Sequence, residues 1–314
     1  MHRVDAAVNT PQPSLHEVGR GIWAWIGAKG DSNAGAFLST SGLVAVDAQQ
    51  TVSLAKSFRQ AVEKAADRPV ETLVNTHFHL DHTAGNRCFA EGPIVAHRHT
   101  YALMQQYLGA GERTWRVADI ESKLKLFFGG NVRDLVPPGS VDEAWFVQRM
   151  SGPDYETIEL HAPNRTFEDS FVFHASWGEM RLDYWGPAHC DGDLVVWSAS
   201  AKVAFLGDLM FNGRFPWLGD CDLDGWTTRL DRILKLDIET VVPGHGPVTS
   251  LREVARFRDL LVDLRGAVAR AIAAGASEEA AATEVQLPEY GQLPRYQEWM
   301  PLNVRSVYRY LKSR

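Results

Sequence analysis

Residues 74–86 read VNTHFHLDHTAGN and pack three histidines and one aspartate into positions 77–82. No other stretch constrains the chain as strongly. The run before it, VETLVNT, is apolar and β-branched, so the cluster begins where a buried strand ends. Alternate residues of an extended segment point the same way, so His77 and His79 can reach one ion together. Asp81 and His82 lie past the strand, where a turn can aim them at a second point close by. Imidazole and carboxylate together suit zinc, with iron or manganese as alternatives. Four donors do not complete two sites. A fold that uses them must bring further donors from other strand ends.

Three later stretches do this. WGPAHCDGD places His189 after one apolar run, AFLGDLMF places Asp208 at the end of another, and VVPGHGPV places His245 after a third. Each run delivers one polar residue into a glycine-containing segment, where the backbone can turn tightly and bring a donor close. A single His or Asp at a strand end is most often an ordinary hydrogen-bonding residue. Seven of them at such places, in this order, point to a metal centre.

Short apolar runs separated by turn residues predict strands at 21–27, 35–39, 43–48, 70–76, 93–97, 170–175, 180–186, 194–199, 203–208 and 238–244. Helices are predicted at 52–66 and roughly 224–236, with Asp222 or Asp224 as the N-cap of the second. Strand runs with a helix, repeated in each half, predict an α/β protein with two sheets and outer helices. From 111 to 168 the pattern breaks, with ESKLKLFFGG as a short helix among loop chemistry such as VRDLVPPGS. From Leu251 to Ile272 one apolar stripe marks a long helix that stops at Gly275, followed by two shorter ones. The expected organisation is a catalytic domain over 1–250, carrying the 111–168 insert near its site, and a helical extension over 251–314 docked on the core. A homodimer contact is the other use such a tail could have.

Composition excludes several classes. A net charge of −7 advertises no basic face for nucleic acid, and no segment is apolar enough to span a membrane. Three scattered cysteines, Cys88, Cys190 and Cys221, do not make a disulfide framework. The N-terminal stretch has no apolar run long enough for a signal-peptide core, so a cytoplasmic location is expected.

The motif H-x-H-x-D-H formed by His77, His79, Asp81 and His82, followed by His189, Asp208 and His245, resembles that of the metallo-β-lactamase superfamily. The resemblance covers roughly residues 17 to 250. It implies a four-layer αβ/βα sandwich of two mixed sheets with the metals at one edge between them. It further implies that His77, His79 and His189 hold one metal, that Asp81, His82 and His245 hold the other, and that Asp208 bridges them. Asp47, which ends LVAVD, matches the family's acid that orients a ligand histidine, and Thr76 is expected to act likewise. With Asp208 at the bridging position, Cys190 and Cys221 are read as non-ligands, and His97, His99, His161 and His174 as ordinary histidines. The tail ending PLNVRSVYRYL looks most like the bacterial group that includes polyketide cyclase–thioesterases.

The expected chemistry is hydrolysis by a hydroxide shared between two Zn2+ ions, with Asp81 and Asp208 as the catalytic carboxylates. The expected substrate is a small, partly apolar molecule cleaved at an acyl bond: an ester, lactone, thioester or amide, β-lactams included. An iron-dependent oxidoreductase or dioxygenase is the alternative on the same donors. Substrate choice should lie in the loops, and Phe127, Phe128 and Trp145 of the insert, with Phe211, Phe215 and Trp217, are the candidate pocket residues.

Overall fold

The computed structural model describes residues 12–314. The expectation that the N-terminal stretch lacks a signal-peptide core concerns residues that mostly lie outside the described ones.

The first sheet has seven strands in the order β1 (Ser14–Gly19), β2 (Ile22–Ile26), β3 (Ala34–Ser39), β4 (Gly42–Val46), β5 (Val70–Val74), β6 (Ile94–His97) and β9 (Arg165–Phe167). Pairing is antiparallel from β1 to β4 and parallel from β4 to β9, so this sheet is mixed. A separate two-stranded ribbon pairs β7 (Thr114–Val117) with β8 (Ile158–His161). The second sheet has five strands in chain order, β10 (Ser170–Ala175), β11 (Gly178–Tyr184), β12 (Leu194–Ser198), β13 (Val203–Phe211) and β14 (Thr240–His245). Only its last pair is parallel.

The two sheets face each other through Ile22, Phe37, Val44 and Val74 on one side and Leu182, Val196, Phe205 and Val242 on the other. The outer face of the first sheet buries Phe58 and Val62 of helix α1 (Val52–Ala66). Thr51 caps that helix by accepting from the Leu54 N–H, and Asp67 ends it in the left-handed region. The four-residue helix α2 (Leu80–Thr83) and helix α3 (Arg98–Leu108) follow β5 and β6. The second sheet is covered by later helices described below, which completes the αβ/βα sandwich. Strands that are covered on both faces read as continuous apolar runs, and β13 is buried along its whole length.

The segment 111–168 differs from its expectation as an irregular cover. It folds into helices α4 (Ile120–Phe128), α5 (Val132–Leu135), α6 (Val141–Arg149) and α7 (Pro153–Glu156), together with the β7–β8 ribbon, and it supplies β9 to the first sheet. Its turn residues are helix boundaries. Asp119 and Ser140 cap α4 and α6, and Gly129 ends α4 at φ 95°. Reading the prolines and glycines as loop missed the short helices between them. Two of its aromatics, Trp115 and Phe146, are buried and pack the insert onto the body.

Asp222 is the N-cap of α8 (Leu223–Ile233), accepting from the Gly225 N–H at 3.1 Å. The long helix α9 (Leu251–Ala273) buries Val254, Phe257, Leu261, Leu264 and Val268. Together with α10 (Glu278–Glu284) and α11 (Tyr296–Lys312) it shares one core with β13 and α8. No helix among the described residues is long and apolar enough to cross a membrane.

Candidate metal centre

Every donor except Asp208 reaches the site from beyond or at a strand end; Asp208, expected at the end of its run, lies inside β13. His77 and His79 follow β5, and His79 is the N-cap residue of α2, whose single turn carries Asp81 and His82. His189 lies in the loop after β11, and β14 ends on His245. Asp208 follows Gly207, which sits at φ 49° where the register of β13 against β14 shifts and the strand bends.

Seven side chains form two groups that share Asp208: His77, His79, His189 and Asp208, then Asp81, His82, Asp208 and His245. Within each group the donor atoms lie within 4.8 Å of one another, and every residue except Asp81 is buried. Asp208 Oδ1 lies 3.1 Å from His82 Nε2 and 3.5 Å from His245 Nε2. Its Oδ2 lies 3.5 Å from His189 Nε2 and 3.9 Å from His77 Nε2. Asp81 Oδ2 is 3.2 Å from His245 Nε2, and His79 Nδ1 faces His189 Nε2 at 3.2 Å. Gly244 makes this closeness feasible, since a Cβ there would stand 2.0 Å from Asp208 Oδ1.

Behind the donors, Asp47 sits just past β4 with φ 60°. Its Oδ1 accepts from the Thr76 N–H at 2.7 Å, and its Oδ2 accepts from the Thr76 hydroxyl at 2.8 Å and from His82 Nδ1 at 2.9 Å. Having donated to Asp47, the Thr76 hydroxyl accepts from His77 Nδ1 at 3.0 Å. Both imidazoles therefore carry a proton on Nδ1 and turn Nε2 toward the site. His245 Nδ1 lies 3.1 Å from the Gly30 carbonyl and 2.9 Å from Arg214 Nη1, which can only donate. Arg214 donates to that carbonyl at 2.7 Å and places its guanidinium beside the ring.

The donor set fits a divalent cation. The Nε2 atoms of His77 and His82, which face Asp208, and Oδ1 of Asp208 itself are buried without a hydrogen-bond partner. Unpaired, each such group costs about 1–3 kcal/mol. Burial pushes His79 down to about 4 and His189 down to about 3, and it holds His77 well below the usual histidine range. Those rings are neutral at neutral pH and ready to ligate. Burial works against charge on His82 and His245 as well, but Asp208 and Asp81 outweigh it and raise both, with Asp47 adding to the effect on His82. For Asp208 and Asp81 the opposition of burial is overcome by His245 and His82, which hold both carboxyls low and ionised.

No cysteine joins either group. Burial and Asp193 push the Cys190 thiol up, and it donates to Asp193 Oδ1 at 3.3 Å. His97 stacks on Tyr184 with centroids 3.7 Å apart, and His99 pairs with Asp191 at 2.8 Å. His161 and His174 lie beside Glu159 and Glu179.

A cavity opens over His79, Asp81, His189, Asp208 and His245. Phe127 and Phe128 of α4, Trp145 of α6, Phe211 and Trp217 line it. Phe215 does not. It is fully buried, edge-on to Tyr296 at 5.0 Å, because its N–H donates to the Pro294 carbonyl and draws the segment under α11. Tyr155 and Arg214 share the lining, as do Met150 and Trp299, which the sequence reading missed. Trp299 comes from a helix distant in sequence, and only the unusual YQEWM run could have flagged it.

Two donor groups sharing one aspartate at the edge of an αβ/βα sandwich define a metal-site enzyme fold. The family model for the metallo-beta-lactamase superfamily matches residues 47–245, from Asp47 to the last donor, and the chain belongs to that superfamily. It is 24% identical over 259 residues to metallo-beta-lactamase type 2 of Bacillus cereus, covering 79% of this chain and 82% of that protein. It is 25% identical over 221 residues to the 2,4-dinitroanisole O-demethylase subunit alpha of Nocardioides sp. (strain JS1661), covering 68% of this chain and 52% of that one. Among solved structures, a stereoselective inverting sec-alkylsulfatase from Pseudomonas sp. matches with TM-score 0.67 and 19% identity, over 95% of this chain and 50% of that chain. The chain thus spans about half the length of the demethylase subunit and of the sulfatase. Its relatives are mostly hydrolases, which supports an enzyme and hydrolysis as its general chemistry.

Proposed function

We propose that the protein is a dinuclear metal hydrolase, loaded with zinc, that cleaves an acyl bond in a small substrate with an apolar or ring-bearing part. The observation that carries this reading is the pair of donor groups sharing Asp208 under a cavity walled by aromatic side chains. His77, His79 and His189 would hold one ion, Asp81, His82 and His245 the other, and Asp208 both. Two divalent ions at such a site supply Lewis acidity and lower the pKa of water to near 7. Asp81, the most exposed of the donors, is placed to accept a proton-bearing group at the cavity floor and orient it. Asp47 and Thr76 fix the two imidazoles they touch, so the site is organised before substrate arrives. The aromatic walls exclude water from the reacting centre and favour apolar substrate surface. The names of two relatives, which refer to dinitroanisole and to a linear primary alkyl sulfate, are in keeping with such a pocket.

The test is a hydrolysis screen over esters, lactones, thioesters, β-lactams and sulfate esters, with metal content measured on the same sample. Acyl cleavage that vanishes with chelator and returns with zinc is expected. Iron in the anaerobically purified protein together with oxygen consumption would overturn the reading in favour of an oxidoreductase.

A further inference from the structure

The linker from α4 to α5 reads FFGGN, and the loop from β13 to α8 contains FPWLGDCD. The two meet at one carboxylate. Asp220 Oδ1 accepts from the Asn131 N–H at 3.0 Å, and Oδ2 accepts from the Tyr107 hydroxyl at 3.1 Å and from the Gly130 N–H. Beside it, the Asn131 side-chain amide donates to the Gly219 carbonyl at 2.8 Å. Both glycines of the linker are needed for so close an approach. A Cβ on Gly129, at φ 95°, would stand 2.5 Å from the Asp220 carboxyl carbon, and one on Gly130 would stand 2.7 Å from the Tyr107 hydroxyl. A cavity wall residue stands shortly before the contact on each segment: Phe128 before Asn131 and Trp217 before Asp220. These two rings are edge-on at 5.5 Å, and Trp217 Nε1 donates to the Phe128 carbonyl at 2.6 Å. Behind the loop, Ser306 of α11 donates to the Gly219 carbonyl at 3.0 Å, and Asn303 accepts from the Leu218 N–H at 3.0 Å. The body side of the contact is therefore fixed. Asp220 does not line the aromatic cavity; it faces a separate cleft with Tyr107, Gly130 and Ser306.

We infer that Asp220 is a positioning residue that sets where α4 and its Phe128 stand against Trp217, and through that gap the size of ring the cavity accepts. This rests on the reading of the aromatic cavity as the substrate pocket. The nine-residue α4 is too short to hold its place by its own propensity. Phe128 packs on Phe146 at 4.2 Å, but α6 belongs to the same insert and moves with it. Contact between apolar faces is non-directional and tolerates sliding. Two successive N–H groups on one carboxylate fix both position and direction, and hydrogen bonds to a carboxylate are roughly twice as strong as those between neutral groups. The lever from this contact to the ring pair is short on both segments, so a shift at Asp220 reaches the wall almost undiminished. The third donor ties in the edge of the metal centre: Tyr107 lies edge-on to Phe78 at 5.5 Å, and Phe78 to His79 at 4.4 Å. Wall, loop and donor segment are thus held to one point.

Asp220→Ala and Asp220→Asn test this in the zinc-loaded protein. Hydrogen exchange of residues 126–132, followed by mass spectrometry, is expected to rise about tenfold in the Ala variant, with residues 203–208 of β13 unchanged. The Asn variant keeps one acceptor oxygen and should show a smaller rise. Benzyl alcohol and 2-naphthylmethanol, titrated by calorimetry, are neutral probes that need no turnover. Releasing the wall is expected to shift their affinity ratio by about threefold or more in favour of the larger ring, at unchanged zinc content. Tyr107→Phe leaves both linker N–H groups on the carboxylate and should keep the wild-type ratio. For any ester the protein hydrolyses, the variants should change KM according to ring size while kcat stays within about twofold. Unchanged exchange at 126–132 in both variants, an unchanged probe ratio, or no binding of either probe at millimolar concentration overturns the proposal. So does a loss of zinc in step with the loss of probe binding, because Asp220 would then act on the metal centre. Should circular dichroism show the Ala variant unfolded, the Asn variant carries both measurements. If the probe ratio shifts as expected but no acyl compound is hydrolysed, the positioning role stands and the hydrolytic reading fails.

Discussion

Asp47 offers the sharpest test of how the site is organised. Its carboxylate is buried and accepts from three donors: the Thr76 N–H at 2.7 Å, the Thr76 hydroxyl at 2.8 Å and His82 Nδ1 at 2.9 Å. Asp47→Ala leaves all three without an acceptor. At about 1–3 kcal/mol for each buried donor, with partial relaxation, the loss is on the order of 3–6 kcal/mol. Set against a typical total of about 5–15 kcal/mol, that is a large fraction. Asp47→Asn keeps the shape and one oxygen, and that oxygen can still accept from Thr76. Its NH2 then faces His82 Nδ1, donor against donor. His82 must move its proton to Nε2, the atom that points at Asp208. Stability of the metal-free Asn variant, measured by urea unfolding, should fall by only about 1–2 kcal/mol. Zinc affinity at the group containing His82, measured by chelator competition, should fall about 10–100-fold. An Asn variant that binds two zinc ions with wild-type affinity would refute the claim that Asp47 sets the His82 tautomer.

Four further outcomes are expected. Asp208→Ala should lower metal content and cut kcat by orders of magnitude with KM little changed, whereas Cys221→Ser should leave metal stoichiometry as it is; elemental analysis and steady-state kinetics check both. Gly244→Ala should displace the Asp208 carboxylate, since the new methyl would stand 2.0 Å from Oδ1, and circular dichroism should show a folded chain with reduced zinc. In the metal-free protein the raised His82 and His245 contribute stability that is present below about 6.5 and is lost as pH climbs through their folded values, while His79 and His189, lowered to about 4 and about 3, contribute stability that is lost as pH falls below about 6.5 toward those values. Zinc uptake near neutral pH should therefore release protons from the His82–His245 group as well as from water acidified by the ions, and calorimetry in buffers of different ionisation heat that finds no proton release would contradict this. Trp299→Leu should raise KM for ring-bearing substrates severalfold at unchanged metal content, because Trp299 walls the cavity without touching a donor.

The candidate donors and the layers were legible in the sequence by itself. Metal donors need particular side-chain chemistry at fixed spacing, and strands covered on both faces need unbroken apolar runs, so both leave a mark in one dimension. His77, His79, Asp81 and His82 stand in six residues, and AFLGDLMF and VVPGHGPV each end an apolar run on one more donor. Local strand and helix limits could also be read, mostly to within a few residues, because propensity and caps are near-neighbour effects: helix 52–66 is an example.

What only the tertiary structure decided depends on contacts between distant segments. Apart from the helix at ESKLKLFFGG, the 111–168 insert read as loop because its helices are short, and they hold together by packing on the body more than by local propensity. Phe215 and Trp217 are indistinguishable in FPWL, yet one is locked under α11 and the other lines the cavity. Arg214 could be noticed in the sequence, but not that Gly30, Trp299 and His245 converge on it from three other parts of the chain. Residue type marks what a side chain can do. Its neighbours are set by how the layers close, and a pocket is made of neighbours.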